Sequence, residues 1–452
     1  MSRLVELFGL WRKKDRPGST SLFAVRELIT SSRALLSNRS EVSGARIAAE
    51  ILEAYQALDR DSRVRFFDSL ARAFSPDPVE VGEAGDAYRN EPSPETLAQL
   101  LRVVEPRRQE LFRRLNMAPG GTRVLVEMRA EILEKLHERA LWKPIEADLA
   151  HLLTSWFNRG FLLLRRIDWQ TSANILEKLI RYEAVHEIQG WKDLQRRLEA
   201  DRRCYAFFHP VLPDEPIIFI EVALTRGLSS KVQPLLDPSA PVLNPETADC
   251  AIFYSITNCQ TGLRGVPLGS FLIKQVVEDL SRDLPRLKTF ATLSPIPGFR
   301  KWLNDNRENL TASDEGLREV LAHIDDTDWS QDQERCEAVR QRLVPLCAHY
   351  LLSAKQAKEP YDSVARFHLR NGARLERINW LSDTSPTGMN RSAGLMTNYV
   401  YRLGDIERNH ELYSREYKIR ASYEVEQLAK NAQQGPRVVK KSAPASQKRS
   451  AS

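Results

Sequence analysis

Near residue 158 the chain changes its hydrophobic period, and this limits it to folds built from two unlike parts. Residues 20–157 repeat apolar side chains at helical spacing. In "ILEAYQALDRDSRVRFFDSLARAFSPDP" the positions Ile51, Leu52, Tyr55 and Leu58 share one helix face. Ser62 is predicted to cap a second helix bearing Val64, Phe67, Leu70 and Phe74, with Pro76 and Pro78 ending it. "ETLAQLLRVVEPRRQELFRRLNMAPGG", "TRVLVEMRAEILEKLHERA" and "EADLAHLLTSWFNRG" continue the pattern. Several short amphipathic helices without a catalytic constellation predict an all-α bundle over residues 1–157, used for packing or assembly.

After residue 158, short apolar runs replace the helical spacing. "GFLLLRRID", "RCYAFFH", "PIIFIEVALT", "CAIFYSITN" and "LKTFATLS" are predicted strands. The helices "SANILEKLIRYEAVHEIQ", "WKDLQRRLEA" and "SFLIKQVVEDLSRD" lie between them, giving the order β-α-α-β-β-β-α-β. Helical sequence follows from about 300 to 355, then a mixed region. Together these predict a mixed α/β domain over residues 158–430. The last 21 residues carry five basic side chains and no acidic one, so 431–452 is predicted to be a disordered basic tail. Without that tail the formal charge of +6 falls to +1, which argues against a nucleic-acid partner. No apolar window reaches the ~18 residues needed to span a membrane. The N-terminus "MSRLVELFGLWRKKDRPGS" lacks a secretory apolar core and is predicted to form a short docking helix or arm.

The five cysteines are scattered and form no C-x-x-C pair, and the eight histidines include no H-x-x-x-H pair. Reduced thiols are expected, with no metal site. Three features could carry chemistry. In "QTGLRGVPLG" the glycines 262, 265 and 269 allow backbone N–H groups to converge before a helix, an arrangement that can hold an anion. Its position after the fourth strand is like that of the coenzyme A loop of GNAT-type acyltransferases, which Gln260 to Gly265 resembles with altered glycine spacing. Ser294 ends a strand on the face of Phe290 and Thr292, and Pro295 is expected to stop the pairing there. There is no G-x-S-x-G elbow, so catalytic and structural roles for Ser294 both stand. His368 in "ARFHLRNGA" is predicted to lie on a strand, sharing a face with Arg366 and Arg370 at a cleft edge, before an Asn371-Gly372 turn. An imidazole there would keep its ordinary pKa near 6.5. His209 in "AFFHP" has an equally suggestive setting, and the pattern does not rank the two.

Taken together, "AIFYSITNCQTGLRGVPLGSFLIKQVV", "FATLSPIPGFRKWL", "FHLRNGARLERINWLSD" and "GLMTNYVYRL" closely resemble the malonyl-coenzyme A decarboxylases over roughly residues 40–425. The resemblance implies a helical domain joined to a GNAT-like catalytic domain that binds acyl-coenzyme A. It implies Ser294 as catalytic serine and His368 as catalytic histidine. It also implies Arg264, Gly265, Val266, Pro267, Leu268, Gly269 and Ser270 as the coenzyme A loop. Some relatives carry a carboxylate where this chain has Pro267. Gln260, Gly262, Asn371, Asn398, Tyr399 and Tyr401 are secondary candidates. The implied reaction converts malonyl-CoA to acetyl-CoA and CO2 through an enolate protonated at C2, with no metal or organic cofactor. A homo-oligomer, dimer or tetramer, is expected. The ending "SAS" is not the peroxisomal S-K-L, so a cytoplasmic, bacterial setting is expected. A GNAT-like acyltransferase and a non-catalytic coenzyme A scaffold are the alternatives.

Overall fold

The computed structural model describes residues 19–268, 272–312, 314–326 and 329–433. The predicted N-terminal arm, Gly269, Ser270 and residues 434–452 of the basic tail lie outside them. The chain separates into two compact units, one comprising Met1–Leu163, Phe208–Ile217 and Asn258–Leu268, the other Leu164–Phe207, Ile218–Thr257 and Gly269–Ser452.

The first unit is helical, with helices Ser19–Ser37, Glu41–Gln56, Arg60–Ala73, Pro78–Asn90, Pro94–Val104, Arg107–Asn116, Gly121–Lys135 and Lys143–Trp156. Pro78–Asn90 and Pro94–Val104 pack on each other, and the apolar faces of the other six meet in one core that includes Ile51, Leu52, Tyr55, Phe67, Leu70, Leu125 and Trp142. The second predicted helix begins earlier than expected, because Asp59 rather than Ser62 is the cap: its carboxylate accepts from Ser62 N–H at 2.7 Å. A carboxylate accepts that bond more strongly than a hydroxyl and also suits the positive end of the helix dipole. Pro78 starts the next helix at its first turn, where a missing N–H costs nothing.

The second unit holds an eight-stranded sheet. Its strands are β1 (Leu163–Ile167), β2 (Arg202–Phe208), β3 (Ile218–Thr225), β4 (Cys250–Asn258), β5 (Thr289–Thr292), β6 (Ser294–Pro295), β9 (Arg374–Asn379) and β10 (Met396–Tyr401). The separate β7 (Lys355–Gln356) and β8 (Glu359–Pro360) form a two-stranded ribbon. The order is β1-β2-β3-β4-β5-β10-β6, with β9 also on β10. The predicted βααβββαβ series is present, as are helices through Phe299–Asp305 to Gln333–Ser353. The sheet is mixed: β2–β3 and β5–β10 are antiparallel, whereas β4 and β5 are parallel over Cys250–Phe253. That parallel pair needs a crossover, supplied by the helix Leu272–Asp283, which buries Leu272, Ile273, Val276, Val277 and Leu280. The fold is therefore α+β, a helical N-terminal region followed by a mixed sheet domain.

Candidate active site

The site begins with an irregularity in the sheet. β10 pairs with β5 at Val400–Ala291 and Tyr401–Phe290, then with β6 at Thr397–Ser294 and Met396–Pro295, in unchanged register. Between these pairs the ladder is filled by side chains. Tyr399 N–H donates to Thr292 Oγ1 at 3.1 Å, and Asn398 Nδ2 donates to the Thr292 carbonyl at 2.7 Å. Leu293 N–H turns to the Phe253 carbonyl of β4. The expectation that Pro295 stops pairing is corrected here, because Pro295 still faces Met396 across the ladder. A proline at an edge position has its ring nitrogen where no ladder donor is required.

Ser294 and Thr292 do share a face, as predicted, and Ser294 Oγ donates to Thr292 Oγ1 at 2.8 Å. His368 comes to the same face from the helix Ser363–Arg370 and not from a strand. Asp362 caps that helix by accepting from Ala365 N–H at 2.9 Å. At the other end Gly372 N–H bonds to Leu369 O and Ala373 N–H to His368 O, a Schellman closure with Gly372 at φ +79°. An added Cβ on Gly372 would lie 2.2 Å from the Ile406 carbonyl, so both backbone angle and space require glycine. The predicted Asn-Gly turn is thus a helix end.

His368 Nε2 lies 2.9 Å from Ser294 Oγ, and His368 Nδ1 lies 2.8 Å from the Tyr401 hydroxyl. The ring stacks on Tyr399, with centroids 4.6 Å apart. His368 is 3% exposed and Ser294 5%, so the expected cleft-edge histidine is instead enclosed. Burial pushes the imidazole pKa from 6.5 down to about 3, which corrects the expected ordinary value. The ring is therefore neutral and has one donor and one acceptor. Because Ser294 donates to Thr292, its oxygen is the acceptor for Nε2–H, and Nδ1 accepts from Tyr401 O–H. The result is a directed chain, Tyr401 to His368 to Ser294 to Thr292. Ser294 has no base taking its proton, so this arrangement does not activate it as a nucleophile.

The secondary candidates divide. Tyr401 belongs to the chain, and Tyr399 supplies the ring beneath the imidazole. Asn398 mends the sheet, its Oδ1 accepting from Asn379 Nδ2 at 2.9 Å and Arg377 Nε at 3.1 Å. Asn371 terminates the helix through Nδ2 to the Phe367 carbonyl. Gln260 and Gly262 lie in the first unit and serve its packing. Gln260 Nε2 donates to Pro216 O at 3.0 Å. A Cβ at Gly262 would fall 1.9 Å from Val126 O, and Arg129 Nη1 donates to the Gly262 carbonyl at 2.6 Å. Gly265, at φ +78°, faces open space, and Arg264 and Pro267 are exposed while Val266 and Leu268 are buried. Thr292 was legible only as a face companion of Ser294. Asp362 was missed, although "DSVARFHLRNG" has a cap residue and a closing Asn-Gly at the spacing of a short helix.

A mixed sheet carrying a buried, hydrogen-bonded Ser–His–Tyr series is the framework of an enzyme, and comparison with known proteins makes its class a carboxy-lyase. Residues 74–157 match the malonyl-CoA decarboxylase N-terminal domain, and residues 160–439 match the malonyl-CoA decarboxylase C-terminal domain. The mitochondrial malonyl-CoA decarboxylase of Anser anser anser is 34% identical over 97% of this chain and 95% of its own. The crystal structure of malonyl-CoA decarboxylase from Rhodopseudomonas palustris is 50% identical, with a TM-score of 0.86, covering 89% of this chain and 99% of that one. That from Agrobacterium vitis is also 50% identical, with a TM-score of 0.83 and the same coverage. The chain belongs to the malonyl-CoA decarboxylase family. Among the described residues no helix is long and apolar enough to cross a membrane.

Proposed function

We propose that this protein decarboxylates malonyl-CoA to acetyl-CoA and CO2, with Ser294 and His368 at the reacting carbons. The observation that carries the reading is the enclosed 2.9 Å pair between Ser294 Oγ and His368 Nε2 in a chain of this family. Loss of CO2 leaves two electrons on C2, delocalised onto the thioester oxygen as an enolate. The thioester is itself the electron sink, so the chemistry needs neither metal nor organic cofactor. A desolvated pocket disfavours the localised carboxylate more than the spread enolate, which favours bond breaking. Ser294 turns its O–H from Thr292 to the malonyl carboxylate and holds the breaking C–C bond out of the carbonyl plane.

The neutral state of His368 refines its role. An imidazole with a pKa of about 3 brings no positive charge to the enolate. It delivers Nε2–H toward C2 while Nδ1 takes the Tyr401 proton, so the ring stays neutral and changes tautomer. Once product leaves, a solvent proton enters at Nε2 and Nδ1–H returns to Tyr401, which restores the starting tautomer and balances the one proton consumed for each CO2 released. The Arg264–Ser270 turn holds the coenzyme A pyrophosphate; its support is the left-handed Gly265 facing open space beside the exposed Arg264.

The deciding experiment incubates purified protein with malonyl-CoA and a chelator in D2O and follows product mass. Acetyl-CoA with one deuterium is expected, and no acetyl-CoA overturns the proposal. Release of free coenzyme A only with an amine or hydroxyl acceptor would indicate an acyltransferase, and binding without turnover a scaffold.

We assign assembly to the helical 1–157 domain, catalysis to 158–430 and no catalytic part to 431–452. In support of a homo-oligomer, the helix Pro94–Val104 exposes Leu97, Leu101 and Val104 along one side. Light scattering of Leu101→Asp tests this, with a smaller particle expected. Five free cysteines, four of them buried, favour a reducing cytoplasm.

A further inference from the structure

The geometry points to Asp362 as a positioning residue that holds the Ser294 loop and the His368 helix in one fixed relation. This rests on the decarboxylase reading above, in which both residues act on substrate. Asp362 is 1% exposed, and its carboxylate is shared by three segments. It accepts from Ala365 N–H at 2.9 Å, capping the helix that presents His368, and the Val364 N–H beside it also favours the carboxylate's charge. The backbone of Gly298, four residues beyond Ser294, lies against the carboxylate, and its N–H favours the charged form. Asp362 also accepts from the Tyr350 hydroxyl at 3.3 Å, on the helix Gln333–Ser353. The N–H groups of Ala365 and Val364, that of Gly298 and the Tyr350 hydroxyl thus all face one carboxylate. A plain helix cap needs only the first two.

Gly298 carries independent support. Its φ of −95° suits any residue, so its lack of a side chain answers to space. A Cβ there would lie 2.4 Å from Tyr350 Oη, with the next atoms, Tyr350 Cζ and Asp362 Oδ2, at 3.6 and 3.8 Å. The hydroxyl that completes the carboxylate's set is thus the one atom an alanine at 298 would strike.

Asp362→Asn separates capping from clamping. Asparagine caps a helix as well as aspartate, but its NH2 leaves some of the four donors without an acceptor. The expected result is a folded protein with KM for malonyl-CoA within about threefold and kcat lower by about 10²-fold, the cost of a misplacement near 1 Å. Asp59→Asn, at a solvent-facing cap, should leave both constants unchanged. The His368 ring nitrogens, read by 15N NMR, should show one tautomer in the wild type and averaging in Asp362→Asn. Gly298→Ala should lose turnover and regain it in Gly298→Ala/Tyr350→Phe, to the level of Tyr350→Phe alone. Wild-type kcat and unchanged imidazole signals in Asp362→Asn would overturn the clamp. So would a double variant as impaired as Gly298→Ala, which also decides the matter if Asp362→Asn does not fold. If wild-type protein forms no acetyl-CoA, the decarboxylase reading falls, and the 15N signals still judge the clamp.

Discussion

His209 and His368 are both enclosed histidines that directly follow a phenylalanine in the sequence, yet their surroundings differ in kind. His209, in the helical unit, places Nε2 3.0 Å from the Trp156 carbonyl, and its Nδ1 accepts from Val211 N–H. Its ring packs on Phe157, with centroids 4.7 Å apart. His368, on the sheet, is bonded at both nitrogens to side-chain hydroxyls. Burial lowers the pKa of both, so a lowered pKa does not mark function here. The partners do. Backbone groups hold a ring in one tautomer, whereas hydroxyls can pass a proton in either direction.

The largest effect expected from this comparison is at His368. His368→Asn should reduce turnover by about 10²–10⁴-fold, the usual worth of positioned acid–base chemistry, with coenzyme A affinity retained. Steady-state kinetics beside calorimetric binding checks it, and near-wild-type turnover would break the comparison. Ser294→Ala should cost about 10–10²-fold, the value of one hydrogen bond to a charged group. Intact-mass analysis of quenched wild-type protein should find no acyl adduct. Thr292→Val keeps the volume but leaves Ser294 O–H and Tyr399 N–H without their acceptor; about tenfold lower kcat is expected, from one or two kcal/mol of lost bonding.

Acid should sharpen the same contrast. The unfolded chain protonates His368 near 6.5, the folded one only near 3. The unfolded state therefore binds more protons in this window, and the stability from keeping His368 neutral is full above pH 6.5 and lost as pH falls toward 3. Denaturant titrations of wild type and His368→Asn should converge on acidification, while kcat shows no His368 limb between pH 6 and 8. The smallest effect on turnover belongs to His209→Asn. It should keep kcat within about twofold and cost about 1–3 kcal/mol of stability by thermal melts, as for a lost buried hydrogen bond.

The succession of strands and helices as far as β5 and the Ser294–Thr292 face were legible in the sequence, because alternation and turn residues are local signals, whereas the place of β10 between β5 and β6 was not. The His368 segment was misread: Phe367 and Leu369 alternate as in a strand, while Asp362 and Gly372 frame eight residues as a helix, and the two signals compete. Capping and the Schellman closure decide it. The role of Gly262 depends on Val126, far away in the chain, so no local pattern shows that this glycine of the turn makes room for a helix. The imidazole pKa depends on enclosure by Tyr399 and Tyr401 from a distant strand, which no local pattern encodes.

The opened ladder at Thr292 also bears on how the protein can vary. One hydroxyl there ends a proton series and stands in for a backbone acceptor, so the position answers to two requirements at once. A change that suits the sheet, such as valine, fails the site, and one that suits the site must still satisfy Tyr399 N–H. Serine is the substitution that meets both. Copies of this gene that drift at residue 292 to anything else should lose turnover before they lose their fold, so this codon can tell a working copy from a decaying one.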